Sequence, residues 1–226
     1  MIKDTEGLIR SLAQNLEPVR PLPNPWIRTA VWLAVSLPYI VIVMLMMTPH
    51  QHLSAMILDT RFVMEQISAV LAGLAAAVAA FATIIPGYSR RLLLLPLLPL
   101  TAWFASLGQG CFQDLARYGV QALLLPHDPL CFLFILLFGA VPGFAMVVML
   151  RRGAPLTPRF TAAIAGLAAA GIGNFALRLV HPEDVSVMML VWHVGGVLIL
   201  SALAGGTGHY MFDWRLLTRA SRNNAQ

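Results

Sequence analysis

Two thiols are the residues of this chain whose type and placement most directly suggest chemistry. Cys111 and Cys131 are its only cysteines and stand twenty positions apart. That spacing is not the C-x-x-C of a dithiol enzyme, and two cysteines do not complete a zinc site. In an oxidising compartment such a pair has three available states: a structural disulfide, a switchable pair, or two unrelated apolar side chains. Thiolates are the reactive form and suit soft metals, so transient metal binding by Cys111 and Cys131 is the one cofactor-like chemistry expected, with no resident cofactor.

A second set of polar residues falls near the same depth. Glu65, Gln66, Asn174, Arg178 and His193 all sit inside apolar stretches. Ionisable groups in such stretches are costly and face a partner or a bundle interior. The expected pairings are Glu65 with Arg61 or Arg178, and His193 with Asn174. One reading is a buried layer that couples the thiols to helix packing; the other is an ordinary interhelical hydrogen-bond network. His50, His52, His127 and His181, with Asp128, Glu183 and Asp184, give a mild metal-ligand character, but no helical His pair defines a metal site.

The elements that must position these groups are membrane helices. Of 226 residues, 58% are hydrophobic and 11% charged, and the mean hydropathy is +0.76. The apolar residues come in runs long enough to cross a bilayer, roughly 18 residues or more. Lipid forces backbone polar groups to pair within the segment, so the expected fold is all-α, a polytopic bundle of six transmembrane helices. The runs lie near 28–48, 62–86, 91–111, 130–150, 160–180 and 187–207, with Pro96 and Pro99 interrupting the third and Pro142 the fourth. This divides the chain into an N-terminal segment 1–27, a transmembrane domain 28–210 and a basic tail 211–226.

Orientation follows from the fifteen basic residues. Twelve of them (Lys3, Arg10, Arg20, Arg28, Arg90, Arg91, Arg151, Arg152, Arg159, Arg215, Arg219 and Arg222) fall on one side of the expected bilayer, and only Arg61, Arg117 and Arg178 on the other. The positive-inside rule then predicts both termini in the cytoplasm and both cysteines outside it. The pI near 9.9 is a topology effect: the basic residues meet anionic headgroups, and nothing suggests a nucleic-acid partner. The first span reads as an uncleaved signal anchor.

Residues 1–27 differ from the rest. Leu8, Ile9, Leu12, Ala13 and Leu16 recur at helical spacing, with Thr5 as a possible cap. A short isolated helix is marginal in water, so this one is either a docking peptide that needs a partner or an interfacial helix lying on lipid. Pro18, Pro21, Pro23 and Pro25 follow as a semi-rigid spacer. The expected loops are too short for an ATPase, kinase or DNA-binding module, and no nucleophile elbow, phosphate loop or metalloprotease motif occurs, so an enzyme is not expected. Gly139-x-x-x-Gly143 permits close helix approach.

Several stretches taken in order resemble a known family: the Asp4–Leu16 helix with Pro18-Val-Arg20, LGQGCF around Cys111, LCF around Cys131, MLRRGAPL at 149–156, HPED at 181–184, VWH at 191–193 and MFDWR at 211–215. Together they resemble the NrsF family, small six-span inner-membrane anti-sigma factors of bacteria. The resemblance implies that Leu8, Ile9, Leu12 and Leu16 hold an extracytoplasmic-function sigma factor. It also implies that oxidative or heavy-metal stress outside the cytoplasm releases it through Cys111 and Cys131. Rival readings are a small transporter or permease, which needs a polar cavity at the bilayer midplane, and a membrane thiol oxidoreductase, which needs a close reactive dithiol. A structural subunit of a larger complex is a third.

Overall fold

A computed structural model describes residues 2–14, 22–47, 56–119, 130–153, 155–180 and 194–212. Every regular element among them is helical. They are α1 (Ile2–Gln14), α2 (Pro25–Met46), α3 (Thr60–Ala82), a 3-10 turn (Arg90–Leu94), α4 (Leu97–Tyr118), α5 (Leu130–Leu150), α6 (Pro158–Val180) and α7 (Gly195–Met211). Five segments are long and apolar enough to cross a membrane: Pro25–Met46, Thr60–Ala82, Arg90–Tyr118, Leu133–Arg151 and Pro158–Val180. The expected sixth span coincides in part with α7, whose seventeen residues begin just after an undescribed stretch.

Helix starts follow local chemistry. Asn24 caps α2 by accepting from the Trp26 amide at 3.1 Å, and Pro25 fills the first helical position, where a missing N–H costs nothing. Asp59 caps α3 in the same way, on the Arg61 amide at 2.9 Å. Gly119, with φ +60°, ends α4. Pro38 lies inside α2 and Pro142 inside α5; both helices continue through them.

Three expectations are corrected here. α1 begins at Ile2, so Thr5 lies within the helix and is not its cap. The third span does not end at Cys111: α4 runs on to Tyr118, because the polar residues after Cys111 end the apolar run without ending the backbone ladder. Pro96 does break the third apolar run, standing where the 3-10 turn gives way to α4, but Pro99 does not interrupt the helix. Pro96 precedes its first residue and Pro99 lies in its first turn, where proline is tolerated, so neither is a mid-span hinge.

The centre of the bundle is the pair α3 and α6. Helix α4 packs on α3, α5 on α6, α2 against α5 and α3, and α7 on α6. The central pair is built from alanine and glycine, and its backbones approach closely. A Cβ added at Gly171 would lie 3.1 Å from the Gly73 Cα, and, between α6 and α5, one at Gly173 would lie 3.1 Å from the Ile135 carbonyl oxygen. Without a hydrophobic drive between helices in lipid, such small-residue contact is what holds them together. Gly139-x-x-x-Gly143 serves this purpose inside the chain: both glycines lie against Ala169 of α6.

The contacting pairs are antiparallel. Thr83 meets Thr161 at one end of α3 and α6, and Glu65 meets Arg178 at the other. One end of the bundle therefore gathers Arg28, Arg151, Arg152 and Arg159 and is called the basic end below. Helix α1 makes no extensive contact with any other described helix.

Candidate functional site

Helices α3, α4, α6 and α7 share a small apolar cluster of Ala69, Trp103, Leu107, Ala170 and Val197. One helical turn further from the basic end, on the same helix faces, stand Glu65, Cys111 and Asn174, since residues four apart stack on one face. The expected polar layer and one thiol thus share a level.

Glu65 is the centre of that layer. It is 2% exposed, with Gln66, Asn174 and Arg178 also buried. Both expected partners reach it. Arg61 Nε donates to Oε1 at 3.2 Å, and Arg178 Nη2 donates to Oε2 at 3.3 Å. Arg178 also lies over the Phe62 ring, 5.4 Å from its centroid. Gln66 Nε2 donates to the Phe175 carbonyl at 3.3 Å, so α3 and α6 are joined by two polar contacts at this level. The carboxylate is held between two guanidiniums, an ion-pair clamp. A polar cavity of about 700 Å³ opens beside Arg61, lined by Asp59, Ser106, Gln109 and Gln113 among others.

Asn174 is 2% exposed and its Oδ1 has no partner among the described residues. Its expected donor, His193, lies outside them, as do Leu16 and all the histidines and acids read as metal-ligand candidates (His50, His52, His127, His181, Asp128, Glu183 and Asp184). Among the described residues no group of three or more His, Cys, Asp or Glu forms a metal-binding cluster.

Cys111 is a free thiol, partly buried on α4. Cys131 lies in the first turn of α5. Gly173 of α6, next to Asn174, abuts the Ile135 carbonyl, which puts Cys131 about one turn further from the basic end than Cys111. The two helices are not an extensively packed pair: α4 lies on α3, and α5 on α6 and α2.

Sequence reasoning missed a seam between α2 and α5. Arg28 Nη2 donates to the Met149 carbonyl, Trp32 Nε1 to the Pro142 carbonyl at 2.8 Å, and Tyr39 Oη to the Leu137 carbonyl at 2.7 Å. Arg28, counted above only as a topology charge, is 5% exposed and lies 4.7 Å from the Phe81 ring centroid. The signal available was the Arg28, Trp32, Tyr39 spacing, which places all three near one face of a helix.

Helix α1 displays Leu8 and Ile9, each about 60% exposed. Leu12 belongs to the same helix.

These features define a class: a protein whose described elements are all helical, with several helices apolar enough to cross a membrane, a buried ion-pair clamp among them, and an amphipathic helix that makes no extensive contact with another described helix. Comparison with known families is specific. The pattern of NrsF, "Negative regulator of sigma F", matches residues 12–214, and the chain belongs to this family. It is therefore a negative regulator of a sigma factor, and a sigma factor is its partner. No curated protein and no solved structure is significantly similar to it.

Proposed function

We infer that this protein is a multi-pass inner-membrane anti-sigma factor with six spans and both termini in the cytoplasm. In this reading α1 holds an extracytoplasmic-function sigma factor at the membrane. Oxidative or heavy-metal stress outside the cytoplasm acts on Cys111 and Cys131 and releases it. The observation that carries the reading is the family match over 12–214 combined with an α1 whose Leu8 and Ile9 are exposed. A helix marginal on its own gains stability by burying its apolar face on a partner.

Signalling needs two packings that the sigma factor distinguishes. Because α4 and α5 are not an extensively packed pair, joining the two thiols, or bridging them with a soft metal, would draw their far ends toward each other. The displacement of α5 would be felt by α2 through the Arg28, Trp32 and Tyr39 seam. Helix α2 connects through the proline spacer to α1, so a strain at the thiols has a covalent route to the docking helix. The ion-pair clamp at Glu65 would keep α3 and α6 fixed as the frame against which α5 moves.

The test is co-purification. Tagged protein from native membranes should bring down a sigma factor identified by its peptides. Leu8→Asp with Ile9→Asp should abolish this while leaving the amount of membrane-inserted protein unchanged. Undiminished co-purification would place the docking surface elsewhere and overturn the role of α1.

A further inference from the structure

Among the described residues a wide apolar recess, a groove of about 680 Å³, opens near the basic end of the bundle. It exists because α5 and α7 both pack on α6 but touch each other little. Ala165 and Ala169 of α6 line it, with Ala140 and Gly143 of α5 on one side and Leu200 and Ala204 of α7 on the other. These side chains are too small to fill the angle between the diverging helices, so the recess follows directly from the sequence.

Two dimensions bear on its occupant. Along α6 the lining runs from Ala162 to Ala170, and along α5 from Arg151 to Ile135. At 1.5 Å per residue these are about 12 Å and about 24 Å. They bracket the depth of one hydrocarbon leaflet, roughly 15 Å, and fall short of the roughly 30 Å a helix needs to cross the core. The recess has the length of a lipid chain and not that of a membrane helix.

Charge marks its mouth. Arg151 lines the basic end of the groove, and its Nε donates to the Met211 carbonyl at 2.9 Å, which tethers the guanidinium between the ends of α5 and α7. Arg152 and Arg159 are exposed at the same end. Among the described residues no acidic side chain lines the recess. A guanidinium offers forked donors that match phosphate oxygens. An apolar trough that runs from Arg151 toward Ile135, shorter than a membrane-crossing helix and headed by a tethered arginine, matches a single molecule with an acyl chain and an anionic head.

We propose that this groove binds one anionic glycerophospholipid, an acyl chain lying against Ala165 and Ala169 and the head-group phosphate on Arg151. The site is a property of the bundle and is independent of what α1 holds. Its occupant would fill the gap between α5 and α7 and so set the spacing between them.

The experiment uses the full chain in mild detergent, stripped of endogenous lipid and then offered phosphatidylglycerol or phosphatidylcholine. Retained lipid is read by native mass spectrometry. The expected result is one phosphatidylglycerol per protein, at an occupancy about tenfold above phosphatidylcholine: both carry the phosphate, but the choline cation cancels the net charge of the second lipid and is repelled by Arg151. Arg151→Gln should erase that preference and Arg151→Lys should keep most of it. Ala140→Phe, which fills the groove, should remove the adduct at an unchanged melting temperature. If Ala140→Phe fails to fold, the Gln and Lys pair decides alone. Equal retention of both lipids by the native chain overturns the proposal. So does a dimer that Ala140→Phe dissociates in place of a lipid adduct, because the groove would then belong to a second copy.

Discussion

Glu65 and Arg178, separated by 113 positions in sequence, meet at 3.3 Å in the buried centre of the bundle and pin α3 to α6 at the end away from the basic residues. Arg61, one turn before Glu65 on α3, supplies the second contact at 3.2 Å. The two cations are not equivalent. The Arg178 side chain is 8% exposed and that of Arg61 27%, so Arg178 is the more deeply buried of the two cations paired with Glu65.

Replacing Glu65 should therefore be severe. Glu65→Gln removes the negative charge and leaves Arg178 buried, a change that costs about 3–5 kcal/mol where it has been measured in protein interiors. Arg61→Gln should cost much less, because Arg178 still compensates the carboxylate. Thermal unfolding of the three proteins in one detergent provides the comparison. Equal loss in both variants would mean that the clamp is not organised around Arg178.

The glycines separate into two classes that substitution can reveal. Gly171 faces the Gly73 backbone, and an added Cβ would sit 3.1 Å from its Cα, whereas Gly206 has nothing within 4 Å of such an atom. Gly171→Val should prevent α3 and α6 from closing and sharply reduce the protein found in membranes. Gly206→Ala should be neutral or stabilising by about 0.5–1 kcal/mol, the helix preference of alanine over glycine. Immunoblots of membrane fractions suffice to tell the two apart.

Much of this arrangement is legible in the sequence, and for physical reasons. Span positions follow from hydropathy, and Glu65 needs a cation wherever it is buried, so Arg61 and Arg178 were the natural partners. The end of α4 was not legible. Hydropathy falls after Cys111, but the backbone continues its ladder to Tyr118, since a helix leaving lipid can carry Asp114 and Arg117 into a polar environment. Nor does a single sequence reveal which helices pack. The separation of α4 from α5, which decides what joining Cys111 to Cys131 would do, depends on the tertiary fit of α3 against α6. Arg28 was misread for a related reason: a basic residue at a span end usually meets headgroups, and only the fold shows it against Phe81 and Met149.

Topology has its own test. With both termini in the cytoplasm, reporter fusions after residues 55 and 120 should behave as extracytoplasmic and fusions after 89 and 155 as cytoplasmic. The charge bias of twelve to three is the physical basis of this expectation. A cytoplasmic signal at 120 would put Cys111 on the wrong side to meet an external oxidant.

The thiols give the most discriminating prediction. If Cys111 and Cys131 act as one sensor, Cys111→Ser and Cys131→Ser should each impair induction, and the double variant should be little worse than either, since residues that act as a unit are not additive. Sigma binding before stress should be normal, because about 30 Å of bilayer separates the thiols from α1. A structural disulfide predicts a different outcome: either substitution would lower protein abundance, with a stability loss of about 2–4 kcal/mol. A switchable pair predicts that thiol labelling of resting cells finds Cys111 reactive. Sigma-dependent transcription, protein level and labelling measured in the same strains distinguish the cases. Normal induction by both oxidants and thiol-binding metals in both single variants would remove the thiols from the mechanism. The layer around Glu65 and Asn174, which shares its level with Cys111, would then become the part of the bundle to probe for the signal.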